Sequence, residues 1–135
     1  MRIALVAHDN KKAEMVSFVM KRMDFFRSDA IEIFATGTTG KHIFDAGLDK
    51  VQRLLSGPLG GDAQIASLIV DKKIDGLIFF VDPLDVHPHQ VDVSMLLRIC
   101  NVHNIPLATN YATAKAMISY WRFYCWSCWL CFWQW

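Results

Sequence analysis

Apolar and polar positions alternate along the chain in blocks that predict strands and helices. Five short segments have the length of strands, at residues 3–7, 31–35, 51–55, 76–81 and 106–109, and those at 3–7 and 76–81 are apolar as buried strands are. Between these segments, apolar residues recur every three or four positions, which is typical of amphipathic helices. The first such stripe runs from Met15 to Phe26 and predicts one helix, and the last helix is expected to begin near Ala112.

Strands that alternate with helices indicate an α/β fold, because each crossover between parallel strands must pass over a face of the sheet. The length of 135 residues fits one domain of this kind. We therefore predict a single Rossmann-like domain, with a five-stranded, mostly parallel sheet and helices on both faces. Ligands bind such sheets beyond the carboxyl ends of the strands, and the polar and glycine-rich segments of this chain fall there.

The composition changes near residue 120. All five tryptophans and three of the four cysteines follow this point, without helix or strand periodicity. We therefore divide the chain into a domain at residues 1–119 and an atypical aromatic and cysteine-rich tail at residues 120–135. Truncation after Ser119 is expected to leave the fold intact and to raise solubility. A subunit-contact helix is the alternative, whereas a membrane anchor needs about 20 mostly apolar residues.

The net charge and the positions of the cysteines indicate which binding partners and which cellular compartment to expect for this protein. Fourteen Lys and Arg residues against thirteen Asp and Glu residues leave a net charge of +1, which provides no basic surface for nucleic acid or an anionic membrane. The first strand starts at the N-terminus without a secretory signal, and the cysteines do not form a disulfide framework. We predict a cytoplasmic protein with reduced thiols and with neither nucleic acid nor a membrane as partner.

Two glycine-rich loops are candidates for phosphate binding. TGTTG, at residues 36–40, offers backbone N–H groups and hydroxyls at a helix start, where the helix dipole favours an anion. The same residues are also typical of a turn with an N-cap. SGPLGGD, at residues 56–62, lets the backbone approach a ligand closely and brings Asp62 to a helix start. Asp62 is then either a general base or the N-cap of that helix.

Histidines near these loops raise the question of a metal site. His8 precedes Asp9, and His87 and His89 follow the fourth predicted strand. No cysteine or third histidine completes a zinc-binding spacing in these loops, so we expect no metal. A neutral histidine can instead donate a hydrogen bond to a carbonyl or enediolate oxygen, while a neighbouring carboxylate fixes its tautomer.

Taken together, these loops resemble the methylglyoxal synthase family. Five segments carry the resemblance: ALVAHDNKK at 4–12, ATGTTG at 35–40, LLSGPLGGDAQI at 54–65, FFVDPLDVHPH at 79–89 and IPLATNYATA at 105–114. Several long motifs in one order are more specific than a single glycine loop. The resemblance implies dihydroxyacetone phosphate as substrate, and methylglyoxal and inorganic phosphate as products. It also implies allosteric inhibition by phosphate, a homohexamer, and no metal or organic cofactor.

The resemblance also implies a role for individual residues. Asp62 would take a proton from the hydroxyl-bearing carbon, while His89 would bind the substrate, polarise its ketone and shuttle protons. His8 would assist in substrate binding. Three further carboxylates would order the catalytic site: Asp9, Asp82 and Asp92. The phosphate group would be held by Lys12, Thr36, Gly37, Thr38, Thr39, Ser56 and Gly57.

A non-catalytic regulatory domain of the same fold, which senses a phosphate ligand, is the alternative function. Both classes need a phosphate loop, but only the enzyme needs Asp62, His8 and His89 around the substrate carbons. A receiver domain is disfavoured, because the third predicted strand ends in SGPLGGD rather than in an isolated phosphoacceptor aspartate.

Overall fold

The computed structural model describes the backbone of residues 1–84 and 90–131 and the side chains of residues 1–84 and 93–123. Within this part of the chain, five strands form one sheet: β1 (Arg2–Ala7), β2 (Glu32–Ala35), β3 (Val51–Arg53), β4 (Gly76–Phe80) and β5 (Leu107–Ala108). Their order is β3-β2-β1-β4-β5, and each neighbouring pair is parallel. The predicted α/β fold with a five-stranded parallel sheet is confirmed.

Helices cover both faces of the sheet. They are α1 (Lys12–Met20), α2 (Met23–Phe26), α3 (Gly37–Asp45), α4 (Gly61–Val70), α5 (Gln90–Val102) and α6 (Tyr111–Cys131). Successive side chains of β1 point to opposite faces, so Ile3 and Leu5 pack with α1, α2, α3 and α6, whereas Ala4 and Val6 pack with α4 and α5. The continuous apolar run of β1 therefore reflects burial on two sides.

The predicted helix over residues 15–26 is divided in two. Helix α1 ends at Met20, and Arg22, with φ −132° and ψ 29°, is the N-cap of α2. The Arg22 guanidinium donates to the carbonyl oxygen of Phe18 at 3.1 Å and lies 4.1 Å from the centroid of the Phe18 ring. The break places Phe25 and Phe26 in the core, and so the apolar spacing continues although the helix does not.

Helix α6 crosses the boundary predicted at residue 119 and continues to Cys131. Trp121 is only 8% exposed, and its indole ring packs so closely on Gly76 of β4 that any Cβ at that position would collide with it. Trp121 therefore belongs to the core, although the change in composition placed it in the tail. The division into a domain and a tail stays a prediction for the residues beyond. None of the described helices has the length and apolar character to cross a membrane.

Candidate active site

A cavity of about 100 Å³ opens at the carboxyl ends of β1 and β4. Val6 and Ala7 of β1 and Phe79 of β4 form part of its wall. The strand order reverses between these two strands, because the chain passes from β1 to β2 in one direction and from β4 to β5 in the other. Open parallel sheets bind their ligands at such a point.

Seven residues that were singled out in the sequence line this cavity: His8, Asp9, Lys12, Thr36, Thr38, Gly57 and Asp62. They follow three different strands, so it is the fold that brings them together. Thr39 is buried beside them, and Asp82 contacts His8 through its backbone. His89 lies outside the described residues, as does the side chain of Asp92, and their roles stay predictions.

His8 is held at the end of β1 by contacts with β4 and the residues that follow it. Its backbone N–H donates to the carbonyl oxygen of Phe80 at 3.1 Å, and its ring packs edge-on against Phe79. The backbone N–H of Asp82 donates to Nδ1 of His8 at 2.9 Å. Because a backbone amide can only donate, Nδ1 carries the lone pair, and neutral His8 carries its proton on Nε2.

Asp9 and Lys12 lie on the turn that follows His8. A short 3-10 helix, Asp9–Lys11, leads into α1, and Nζ of Lys12 is 2.5 Å from Oδ1 of Asp9. The Lys12 side chain is 16% exposed, whereas that of Asp9 is 87% exposed. The carboxylate thus holds the ammonium group of Lys12 at the cavity, where a positive charge attracts a phosphate.

The N-terminus of α3 provides backbone donors at the same cavity. Thr36 is at the N-cap position, but no described side chain caps this helix, and the Thr36 hydroxyl instead donates to Oγ1 of Thr39 at 3.3 Å. The Gly37 amide donates to the carbonyl oxygen of Leu55 at 2.9 Å. The amides of Thr38 and Thr39 lie in the first turn, where a helix has no acceptor of its own. Thr36 therefore does not cap the helix with its side chain, which was the alternative function of this loop. The amides of the first turn can instead donate to an anion.

Asp62 lies in the first turn of α4, next to the loop after β3. Gly60, with φ 102°, is the N-cap residue of that helix, so Asp62 does not have the capping position that was the alternative to a base. Oδ1 of Asp62 is buried. A Cβ on Gly57 would lie 3.0 Å from Oδ2, which shows how closely this glycine approaches the carboxylate. A side chain at position 57 would therefore require the Asp62 carboxylate to shift by a few tenths of an ångström.

Asp82 is held by two donors. Nδ2 of Asn10 donates to Oδ2 at 2.9 Å, and the Leu84 backbone N–H donates to Oδ1 at 3.1 Å. The pKa of the Asp82 carboxyl lies below its ordinary value, first because of the Asn10 amide and second because of the Leu84 N–H. No pattern in the sequence distinguishes Asn10, since its partner is 72 positions away. In the described residues, no three His, Cys, Asp or Glu side chains form a group that could hold a metal ion.

Thr38 and Thr39 differ in position, and the structure therefore separates the effects of their substitution. Thr38→Val should raise the inhibition constant of inorganic phosphate roughly tenfold, because a hydroxyl donor to an anion is lost at the cavity. Thr39→Val should instead lower the free energy of unfolding by about 1–3 kcal/mol, since it leaves the buried Thr36 hydroxyl without its acceptor. Inhibition kinetics and urea denaturation of both variants test this pair. Equal phosphate inhibition in Thr38→Val and the parent protein would argue against this loop.

The MGS-like domain family model matches residues 14–109. The methylglyoxal synthase of Moorella thermoacetica is 51% identical over 120 residues, which cover 89% of this chain and 92% of that protein. The methylglyoxal synthase of Bacillus subtilis is 48% identical over 118 residues, covering 87% and 85%. A crystal structure of methylglyoxal synthase from Elizabethkingia anophelis superimposes with a TM-score of 0.81 at 45% identity, covering 87% of this chain and 76% of that one. The resemblance carried by the loop motifs is thereby confirmed, and the chain belongs to the methylglyoxal synthase family.

Proposed function

We propose that this protein is a methylglyoxal synthase, a carbon–oxygen lyase that converts dihydroxyacetone phosphate to methylglyoxal and inorganic phosphate. The observation that supports it best is the cavity that combines the Asp62 carboxylate with the N-terminus of α3. A carboxylate can accept a proton from carbon, and a helix N-terminus with nearby hydroxyls binds a phosphate group.

The first chemical step is the removal of a proton from the hydroxyl-bearing carbon of the substrate. The adjacent ketone acidifies this C–H bond, and Asp62 takes the proton. The electron pair of the C–H bond forms a C=C bond to the ketone carbon, and the π electrons of the ketone move to its oxygen, which gives an enediolate. His8, with its proton on Nε2, provides a neutral donor near that oxygen, and the Lys12 ammonium adds positive charge to the site. His89 stays the predicted second donor and proton shuttle.

The second step breaks the C–O bond to phosphate. A proton first moves from the hydroxyl of the carbon that was deprotonated to the former ketone oxygen. The oxyanion left behind forms the aldehyde C=O, the enediolate C=C bond shifts to the carbon that carries the phosphate, and the C–O bond to phosphate breaks. The resulting enol gains a proton on its terminal carbon and loses its hydroxyl proton, which gives methylglyoxal. Elimination requires the C–O bond to align with the π system of the enediolate. The amides of Thr38 and Thr39, the Thr38 hydroxyl and Lys12 are the groups that we assign to holding the phosphate in that alignment, and Thr36 supports them through its hydrogen bond to Thr39. We assign Gly37, Ser56 and Gly57 to the same phosphate site. Three carboxylates are assigned the role of ordering the catalytic site: Asp9, Asp82 and Asp92.

The family relationship also supports an assembly and a form of regulation. We infer a cytoplasmic homohexamer that inorganic phosphate inhibits allosterically. Sedimentation velocity tests the assembly, with a single species of six chains as the expected result. Sigmoidal dependence of turnover on substrate concentration in the presence of phosphate is expected if the inhibition is allosteric.

Incubation of the purified protein with dihydroxyacetone phosphate tests the activity itself. Methylglyoxal and inorganic phosphate should appear in equal amounts, without an added metal or cofactor. Binding of phosphate ligands with no turnover would instead favour the regulatory domain as the function of this chain.

A further inference from the structure

Asn10 connects the loop after β1 with the loop after β4. Its side-chain amide Nδ2 donates to Oδ2 of Asp82, and the backbone N–H of Asp82 donates to Nδ1 of His8, both at 2.9 Å. Asn10 does not line the cavity itself. A chain of two hydrogen bonds therefore runs from a residue outside the cavity to the imidazole ring inside it.

We propose that Asn10 is a positioning residue, which fixes Asp82 and, through the Asp82 backbone, the tautomer and orientation of His8. The proposal rests on the proposed function for the reaction that His8 serves. The hydrogen-bond geometry and the His8 tautomer can be measured in the protein without substrate.

The need for Asn10 follows from the other contacts of Asp82. Oδ1 of Asp82 accepts from the Leu84 N–H, two residues ahead in the same loop, and such a local bond shapes the loop without attaching it to β1. The backbone of His8 is anchored on Phe80 and its ring packs edge-on against Phe79, but neither contact determines which ring nitrogen accepts a hydrogen bond. Among the described residues, the Asn10 amide is the side-chain donor that joins the Asp82 carboxylate to the β1 side.

The charges around Asp82 agree with this role. The depressed pKa of Asp82 has the Asn10 hydrogen bond as its first cause, and the charge of Lys11 acts in the same direction. The Asp82 carboxylate is therefore ionised at neutral pH and accepts from the amide. A donor at position 10 is needed to keep it in place, and a second carboxylate there would repel it.

Three variants test the proposal. Asn10→Ala removes the donor, and Asn10→Asp keeps the shape but replaces the donor with a negative charge. Glu14→Ala is the matched control, because it also removes one polar contact of this turn, the ion pair with Lys11 at 3.2 Å, without touching Asp82. Circular dichroism and thermal melting of all three establish that each variant folds.

The decisive readout is the tautomer of His8, measured by NMR on protein with ¹⁵N-labelled histidine and assigned from the spectrum of His8→Gln. The parent protein and Glu14→Ala should show neutral His8 with its proton on Nε2, whereas Asn10→Ala should show a mixture of tautomers. An unchanged tautomer in Asn10→Ala overturns the proposal, whatever the activity of the enzyme.

Turnover of dihydroxyacetone phosphate is the second readout. Asn10→Ala should lower kcat about tenfold while KM and phosphate inhibition change little, because orientation and not binding is lost. For Asn10→Asp, turnover relative to the parent should recover as the pH falls from about 8 to 5, since a shared proton restores the hydrogen bond between the two carboxyls. A pH-independent ratio would contradict the role of the donor. If the parent protein itself gives no methylglyoxal, the proposed function fails, whereas the NMR result still decides the role of Asn10.

Discussion

Replacing Asp62 with asparagine should lower turnover of dihydroxyacetone phosphate by roughly a thousandfold. General base catalysis contributes rate enhancements of this size, and an amide cannot accept the proton from carbon. Asparagine has the same size as aspartate beside Gly57, so the phosphate-binding amides and hydroxyl at the N-terminus of α3 should keep their positions. Inorganic phosphate should therefore bind Asp62→Asn almost as tightly as the parent protein, as measured by isothermal titration calorimetry.

The matched control for this variant is Asp71→Asn. Asp71 is an exposed carboxylate at the other end of α4, 3.9 Å from Nζ of Lys73, and it does not line the cavity. Its substitution should leave turnover unchanged. Near-normal turnover of Asp62→Asn would show that another group is the base, and a loss in both variants would indicate a general effect of charge on α4.

Removal of Trp121 should lower the free energy of unfolding by about 3–5 kcal/mol, the usual cost of deleting a large buried aromatic side chain. Its ring packs against Gly76 at the start of β4 and joins the same core as Ile118. Truncation after Ser119 should therefore destabilise the protein, which reverses the expectation drawn from the sequence alone. Urea denaturation of the truncated chain and of full-length Trp121→Ala measures the effect.

Truncation after Phe123 is the control for the position of the cut. It retains Trp121 and the ion pair of Arg122 with Asp24, in which both carboxylate oxygens are 2.6 Å from the same guanidinium nitrogen. The chain truncated after Phe123 should have a melting temperature close to that of the full-length protein. Equal stability of the two truncated chains would mean that Trp121 adds nothing to the core.

The sheet could be predicted from the sequence because two of its inner strands, β1 and β4, are apolar on both faces. Such runs stand out in any sequence, and the loops after them carry glycines and polar residues whose place is then set by the topology. The burial of Trp121 could not be predicted in the same way. Aromatic residues surround it in the sequence, so no polar positions mark which face of the helix is exposed. The break between the first two helices at Arg22 could not be predicted either. It depends on the packing of Phe25 and Phe26 in the core, which is a tertiary effect.

The candidate site was predictable only in part, for a similar reason. Motif positions identified seven of the residues that line the cavity, but they could not distinguish Thr38 from Thr39. Both are threonines in the first turn of one helix, and the fold alone determines that Thr39 turns inward to Thr36. Asn10 gave no signal either, because a hydrogen bond between loops far apart in the chain has no local pattern.

The pairing of β1 with β4 has a consequence for the synthesis of the protein on the ribosome. The residues that line the cavity ahead of β4 all fall within residues 6–62, so the phosphate loop and Asp62 emerge early. His8, however, is fixed by Phe80 and Asp82, which are translated much later. A nascent chain that ends before β4 thus carries the proposed base and the proposed phosphate donors but lacks the contacts that orient the imidazole. We therefore expect activity only late in translation, after β1 has both of its neighbouring strands.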